Sequence, residues 1–278
     1  MKILAVVVLY EPNISILHEN LNAYVSHVEQ TIAWDNSPYS YRRNEEFLKQ
    51  EYPSIIYMGD GRNYGISYVL NKAWEYAREN NHEVLLTMDQ DSVFVDFTTY
   101  RKRVEDYWKT EGLCVCGPTP NLNKSLSISQ EFSRKNYVIT SGMLIPISLL
   151  NVCGGYELDF KVDGIDVELC YHLKERGFYT YVDNRSDLVQ RYGEQKVKKL
   201  LGRTFLCANY NASRLYGIFR NHIIIWRKYN HPKEIKRMVI HDYFVSFVIK
   251  DVLLFGNNKI KKLWAVFKGI RDGFLSEI

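Results

Sequence analysis

Asp89 and Asp91, in the stretch "EVLLTMDQDSVF" at 83–94, stand where a short apolar run stops. Two carboxylates at the mouth of a buried strand repel one another and resist desolvation, so their position calls for a counter-charge. Two oxygen donors suit Mg²⁺ or Mn²⁺, which take few carboxylates from a protein and complete their shell with water and substrate phosphate. The spacing alone is not specific. Asp-x-Asp arises by chance, and either carboxylate could simply cap the helix that follows.

Two further stretches carry chemistry-bearing residues. In "GRNYGIS" (61–67), glycines let backbone approach a phosphate, and the helix N-terminus that follows favours negative charge; a plain strand-to-helix turn would look the same. The stretch has neither the GxGxxG fingerprint nor the GxxxxGK[ST] loop, so neither a dinucleotide-dependent dehydrogenase nor a P-loop NTPase is supported. In "KVDGIDVELC" (161–170), Asp163, Asp166 and Glu168 crowd ahead of a helical pattern. They could cap that helix, or one could take a proton from a hydroxyl, work that needs only one well-placed carboxylate.

The elements that must position these groups follow from hydrophobic periodicity. Residues 3–9, 28–34, 55–58 and 84–88 read as strands, while Ile14, Leu17, Leu21 and Tyr24, and then Ile66, Val69, Leu70, Ala73 and Ala77, fall on helical faces. Strands separated by helices predict an α/β fold: a mostly parallel central sheet flanked by helices, with ligands at the carboxyl ends of the strands. Each of the four strands ends in polar residues: Tyr10-Glu11, Asp35-Asn36-Ser37, Asp60 to Asn63, and Asp89-Gln90-Asp91. In a parallel sheet these ends share one edge. That convergence outweighs any single motif.

Further along, "LCVCGP", "YVITSGMLIP" and "YTYVD" read as strands, residues 119–135 as a loop, and the chain from about 205 as a basic helical extension. We expect a catalytic domain over 1–204 and a helical region over 205–278. The five cysteines, at 114, 116, 153, 170 and 207, show no paired spacing, as expected of reduced thiols in a cytoplasmic protein. The opening apolar run is too short for a signal or a spanning helix and suits a first buried strand. Charge is polarised: residues 1–189 hold 18 Lys/Arg against 26 Asp/Glu, whereas residues 190–278 hold 18 against 6. The basic half is either a solvated helical surface or one that docks on something anionic.

Taken together, "VVVLYEP", "WDNS", "RNYGISYVLNKAWEYA", "LLTMDQDS", "TSGMLIP", "GGYELDFKVDGIDVELCYHLKERGF" and "RNHIIIWRKY" resemble, in order and spacing, the bacterial family 2 glycosyltransferases of GT-A fold. Within that family the chain looks most like the rhamnosyltransferases of surface-polysaccharide assembly. The resemblance covers nearly the whole chain. It implies an inverting transfer from a nucleotide-diphospho-sugar, dTDP-rhamnose first and a UDP-hexose second, with Mg²⁺ or Mn²⁺ as cofactor. It also implies roles. Leu9, Tyr10 and Glu11 would line the nucleoside pocket, Asp35 would hydrogen-bond the pyrimidine with Asn36 beside it, and Arg62, Asn63 and Gly65 would border the base, ribose and diphosphate. Asp89 would sit near ribose or metal and Asp91 would ligate the metal. Ser141 and Gly142 would shape the sugar pocket, Asp166 would be the catalytic base, and Asp163 would orient the acceptor. One departure stands out: relatives often carry a His before a Gly after the closing strand, completing the metal site, and here "DLVQRYGE" has Gln190. That difference leaves a rival reading, a catalytically silent nucleotide-sugar-binding or scaffold protein of polysaccharide assembly.

In "NKIKKLWAVFKGIRDGFL", Ile260, Leu263, Trp264 and Phe267 share a helical face bordered by Lys259, Lys261, Lys262, Lys268 and Arg271. Such a face suits an anionic membrane surface, and with it a peripheral location at the inner face of the cell membrane and a lipid-linked saccharide acceptor. The catalytic domain or a second copy, as a homodimer, would cover it equally well. No nucleic-acid motif accompanies the charge, so nucleic acid is not among the expected partners.

Overall fold

The computed structural model describes residues 1–41, 43–122, 130–191, 196–200, 202–208 and 210–278. Residues 123–129, part of the loop expected over 119–135, lie outside the described residues. The chain divides into two compact units, one of Met1–Lys161 and Ile165–Arg191, the other of Val162–Gly164 and Tyr192–Ile278. Residues 192–204 thus fall with the helical unit rather than with the sheet, as does the three-residue segment holding Asp163.

In the first unit, β1 (Ile3–Leu9) is an almost wholly buried apolar strand, the pattern of a strand covered on both faces. It pairs in parallel with β2 (Gln30–Asp35) on one side and β4 (Val84–Asp89) on the other, and β3 (Ile56–Met58) extends β2. The register sets Leu9 beside Asp35 and Val8 beside Asp89, so the polar strand ends lie side by side as the sequence predicts. Helix α1 (Ile14–Asn22) starts from an Asn13 cap, α2 (Arg43–Glu51) precedes β3, and α3 (Ile66–Glu79) buries Val69, Leu70, Ala73 and Ala77.

Beyond β4 the sheet is mixed, which departs from the mostly parallel arrangement expected. A short strand β5 (Ser92–Phe94) follows Asp91 directly, and helix α4 (Phe97–Glu111) follows that. Strand β6 (Val115–Pro120) leads to β7 (Phe132–Lys135) and then to β8 (Met143–Pro146), which runs antiparallel to both β4 and β6. Helices α5 (Ile147–Cys153) and α6 (Ile165–Glu175) precede the long β9 (Thr180–Gln190). The final order is β3-β2-β1-β4-β8-β6-β9-β5, with β7 paired to β9. Strand β9 pairs with β6 through a register shift after Pro118, where Asp183 gives way to Asp187 as the next partner. Buried Asp183 holds this bulge: it accepts from Arg103 Nε at 2.8 Å, from Ser186 Oγ and from the Arg185 backbone at 2.9 Å. The bulge sends the end of β9 across to β5, pairing Gln190 with Ser92.

The second unit contains a hairpin, β10 (Lys196–Leu200) and β11 (Arg203–Cys207), then α7 (Ala212–Lys228) and α8 (Lys233–Arg237). Without a break α8 becomes a wide i→i+5 helix over Met238–Leu254, and α9 (Lys259–Leu275) closes the chain. Its core joins Leu215, Ile218 and Phe219 to Val248, Val252 and Val266. Gly269 and Gly273 let α9 approach α7 closely, since a Cβ at either would meet the carbonyl oxygen of Tyr216 or Arg220 within 2.8 Å. No described helix is long and apolar enough to cross a membrane.

Candidate active site

Four parallel strand ends and the turn entering antiparallel β8 meet at one edge of the first unit. The turn is decisive because it touches both acidic motifs. Asp89 donates its backbone N–H to Ser141 Oγ at 3.2 Å, and the Thr140 backbone N–H donates to Asp166 Oδ2 at 3.3 Å. Two consecutive residues therefore link the Asp-x-Asp turn to Asp166, which lies in the first turn of α6. Ser141 is fully buried. Gly142 has φ +81° and donates to Thr87 O at 2.8 Å, and a Cβ there would strike Pro118 at 2.6 Å.

The Asp-x-Asp turn is clamped from two sides. Asn20, buried on α1, donates from Nδ2 to the carbonyls of Asp89 (2.9 Å) and Ser92, holding the turn as it passes from β4 to β5. Gln90 points the other way: its amide accepts from the Tyr10 N–H at 2.7 Å and donates to the Tyr10 carbonyl at 3.0 Å. This closed pair of bonds joins the end of β1 to the acidic turn and leaves the Tyr10 side chain half-exposed. Neither Asn20 nor Gln90 was singled out from sequence. Gln90 occupies the variable position of the motif, and Asn20 was legible only as a polar residue on an otherwise apolar helical face.

At the end of β2, Asp35 is buried, and its carboxylate accepts from Ser37 N (2.8 Å), Asn44 Nδ2 (2.9 Å) and Tyr57 OH (3.1 Å). An ionised carboxylate offers about four acceptor sites, so one remains beside the three described bonds. Burial and then the Asp35 charge push the Tyr57 phenol well above its usual range, so it stays a donor. Next to Asp35 opens a cavity of about 300 Å³ lined by Ser37, Tyr39, Tyr57, Gly59 and Gly61, the lower end of the size range of small-molecule sites. Asn36 faces away from it. Its backbone N–H donates to Leu9 O at 2.8 Å and its Oδ1 accepts the Tyr64 N–H at 3.2 Å, tying β1 to the glycine-rich loop. Glu11 takes a positive φ of 47° and donates its N–H to Ser37 Oγ at 2.7 Å.

Within the loop after β3, Arg62 and Asn63 are exposed, and Asn63 Oδ1 accepts the Gly65 N–H at 2.9 Å. Gly65 has φ +83°, and any Cβ there would press on the Lys161 backbone at 3.0 Å. Asp60 anchors the loop by accepting from Tyr64 OH (2.7 Å) and the Arg62 N–H (3.1 Å); the tyrosine bond, chiefly, holds its carboxyl below the usual range.

Asp163 belongs to the other unit. At a positive φ of 59° it receives Arg214 side-on, each carboxylate oxygen at 3.1 Å from a guanidinium nitrogen, and Asn221 Nδ2 donates to its carbonyl at 2.9 Å. Of the acidic trio in "KVDGIDVELC", Glu168 is buried and Asp166 is the member bonded to the turn entering β8.

A divalent cation at this edge would need several oxygen or nitrogen donors. Among the described residues no group of three His, Cys, Asp or Glu side chains could hold one. The alternative third donor is an amide. Gln190 pairs with Ser92, the residue after Asp91, and its Oε1 is buried with no hydrogen-bond partner among the described residues. An orphaned amide oxygen costs about 1–3 kcal/mol, which a cation beside Asp91 would recover. Two carboxylates and one amide oxygen would make an all-oxygen set, a donor chemistry that fits Mg²⁺ and is less suited than imidazole to Mn²⁺.

Comparison with known proteins bears on this arrangement. The chain superposes with a TM-score of 0.59 on each of three solved glycosyltransferases. They are GalNAc-T7 with UDP, GalNAc and Mn²⁺ (11% identity; 82% of this chain, 48% of that one), the mannosyltransferase PcManGT of Pyrobaculum calidifontis with GDP-Man and Mn²⁺ (9%; 98% and 73%), and S. aureus TarS residues 1–349 (10%; 97% and 81%). The fold is GT-A. The chain spans about half the length of GalNAc-T7. At the level of sequence, this GT-A chain is 22% identical over 299 residues to the dTDP-rhamnosyl transferase RfbF of Shigella flexneri, covering 98% of this chain and 97% of that protein. No family model matches this chain. Two of the three GT-A structures hold Mn²⁺ together with a nucleotide or nucleotide sugar.

Proposed function

We propose that the chain is an inverting glycosyltransferase that moves rhamnose from dTDP-rhamnose to a saccharide acceptor in surface-polysaccharide synthesis. The observation that carries this reading is the turn Thr140-Ser141, which joins Asp166 to the Asp-x-Asp turn at the edge where the strand ends converge. The 300 Å³ cavity beside Asp35 takes the pyrimidine, with the remaining acceptor site of Asp35 available to a ring N–H. Exposed Arg62 and the loop of Asn63 and Gly65 border the diphosphate.

Asp166 removes the proton from the acceptor hydroxyl as that oxygen forms its bond to the anomeric carbon and the carbon–phosphate-oxygen bond breaks on the opposite side. One displacement inverts the anomeric centre, and no covalent intermediate with the protein is needed. Asp91, Asp89 and Gln190 would hold a divalent cation, which when bound neutralises charge on the departing nucleoside diphosphate. Asp163, fixed by Arg214, orients the acceptor. The acceptor is lipid-linked and is reached at the cytoplasmic face of the cell membrane, with the C-terminal helices on that surface.

The test is calorimetric titration of dTDP and UDP, each with and without Mg²⁺ or Mn²⁺, into the protein and its Asp91→Ala variant. Cation-dependent binding of dTDP that vanishes in the variant is expected. Preference for UDP would replace the donor, and binding of neither nucleotide to folded protein would remove the reading.

A further inference from the structure

Helix α9 has two apolar faces, and only one is used by the fold. Val266, Gly269 and Gly273 are buried, the two glycines against α7. On the opposite face Ile260 is 86% exposed, Trp264 63%, Phe267 58% and Phe274 49%, and the Trp264 and Phe267 rings stack on each other at 5.8 Å. These residues recur at spacings of four, three and seven, a single stripe down the helix. The same unit exposes a second stripe on the wide helix, where Ile240, Phe244, Ile249 and Leu253 recur every four or five residues, the period of an i→i+5 helix. Large exposed rings and aliphatic chains in continuous stripes mark a contact surface.

Charge selects the occupant. Lys261 and Lys268 are exposed along one border of the α9 stripe and Lys259 along the other, and Arg271 lies within it, paired with Asp272 at 2.7 Å. Exposed acidic residues in this region are few: Glu234, Asp242 and Glu277. A second copy seated isologously would press this basic border against itself. An anionic bilayer takes both features, with rings at the headgroup–acyl boundary and lysines at the phosphates.

We infer that the outer face of α9 docks in the interface of an anionic phospholipid bilayer, with Trp264 and Phe267 inserted and Lys261 and Lys268 on the headgroups. This deepens the reading of the acceptor as lipid-linked, yet it rests on a surface separate from the sheet-edge residues. Nucleotide calorimetry and vesicle binding can therefore fail independently.

The experiment is sedimentation of the full chain with vesicles of phosphatidylcholine alone or with phosphatidylglycerol added, and sedimentation equilibrium without lipid. Partition into the anionic vesicles should exceed that into neutral ones by about ten-fold or more, given about 1 kcal/mol for each basic residue at the surface. It should fall about ten-fold in Trp264→Ser/Phe267→Ser and in Lys261→Glu/Lys268→Glu, with dTDP binding and molecular mass unchanged. Equal partition into both vesicle types, no partition into either, or a dimer that the Trp264→Ser/Phe267→Ser variant converts to monomer would each overturn the inference. The last result would assign the stripe to a second copy. Because the substituted side chains are exposed, loss of dTDP binding in either variant would likewise count against a purely interfacial role.

Discussion

Asp166, the residue proposed as the base, sits on the first turn of α6 with one oxygen accepting the Thr140 N–H and the other the Val167 N–H. Replacing it with Asn keeps size and one of the two acceptor oxygens that take the Thr140 and Val167 N–H groups, but removes basicity. Turnover of donor with a competent acceptor should fall by about 10²–10⁴-fold while calorimetric dTDP affinity stays unchanged; loss of both would mean a structural role. Gln190 supports a different prediction. Gln190→His puts imidazole where the orphaned amide oxygen now lies, and should raise affinity for Mn²⁺ relative to Mg²⁺ in titrations with dTDP present. An unchanged ratio would place the cation away from β9. Residue type and spacing alone made Asp163, Asp166 and Glu168 equivalent members of one acidic loop, and only the family resemblance set Asp166 and Asp163 apart. What separates them is tertiary: Arg214, fifty-one residues on, takes Asp163, burial takes Glu168, and the turn entering β8 takes Asp166. Asp35 shows the same division, for its type and strand-end position were legible but its partners Asn44 and Tyr57 were not.

Asn20 spans strand β4, the acidic turn and β5 from α1, bonding the carbonyls on both sides of Gln90-Asp91. Asn20→Ala would leave both carbonyls short of a donor in a buried setting. A loss of about 1–3 kcal/mol in urea unfolding is expected, together with weaker cation-dependent dTDP binding. A variant with normal binding would show that the turn holds its shape unaided. The elements around this turn differ in how plainly they could be read. Strands β1 to β4 and helix α3 announce themselves through local periodicity, apolar runs of strand length and apolar residues at helical spacing. Strands β5, β7 and β10, by contrast, are short or polar: "SVF", "FSRK" and "KVKKL". β5 and β7 are strands because distant β9 supplies their hydrogen bonds, and β10 because it pairs with β11 in a hairpin; no apolar pattern carries either. The bulge in β9 belongs to the same class, since it depends on Arg103 reaching Asp183 across eighty residues. Without it the end of β9 would not meet β5, and Gln190 would not lie beside the acidic turn.

At the scale of the whole chain, an acidic sheet unit and a basic helical unit differ in what buries their polar groups, and the helical unit encloses a histidine. His222 is 2% exposed in α7, with Nδ1 2.9 Å from the Ile218 carbonyl and Nε2 2.9 Å from the Tyr243 hydroxyl. A carbonyl only accepts, so Nδ1 carries the proton and Tyr243 donates to Nε2. Protonating Nε2 would bury a charge and force the Tyr243 hydroxyl round toward Met238 Sδ, which lies 2.9 Å away. Burial accordingly lowers the His222 pKa from 6.5, although the Ile218 carbonyl and the Asp163 charge pull the other way. With the folded value depressed, the unfolded chain binds the extra proton first. Stability is therefore complete above about pH 6.5 and declines as pH falls through the interval below it, by up to about 1.4 kcal/mol per pH unit for one group. His82 in the sheet unit is shifted the same way, chiefly by burial, and adds its own slope. The carboxylates held below their usual range, Asp60, Glu83, Asp96 and Asp272, lose their contributions only at more acid pH, below about 4.5. Between pH 7 and 5 the histidines thus dominate. Hydrogen exchange should show α7 losing protection across that range, and His222→Asn should remove the pH dependence from α7 while leaving that of the β1–β4 region. Equal slopes in α7 for the variant and the parent would mean that another group sets the acid response of the helical unit.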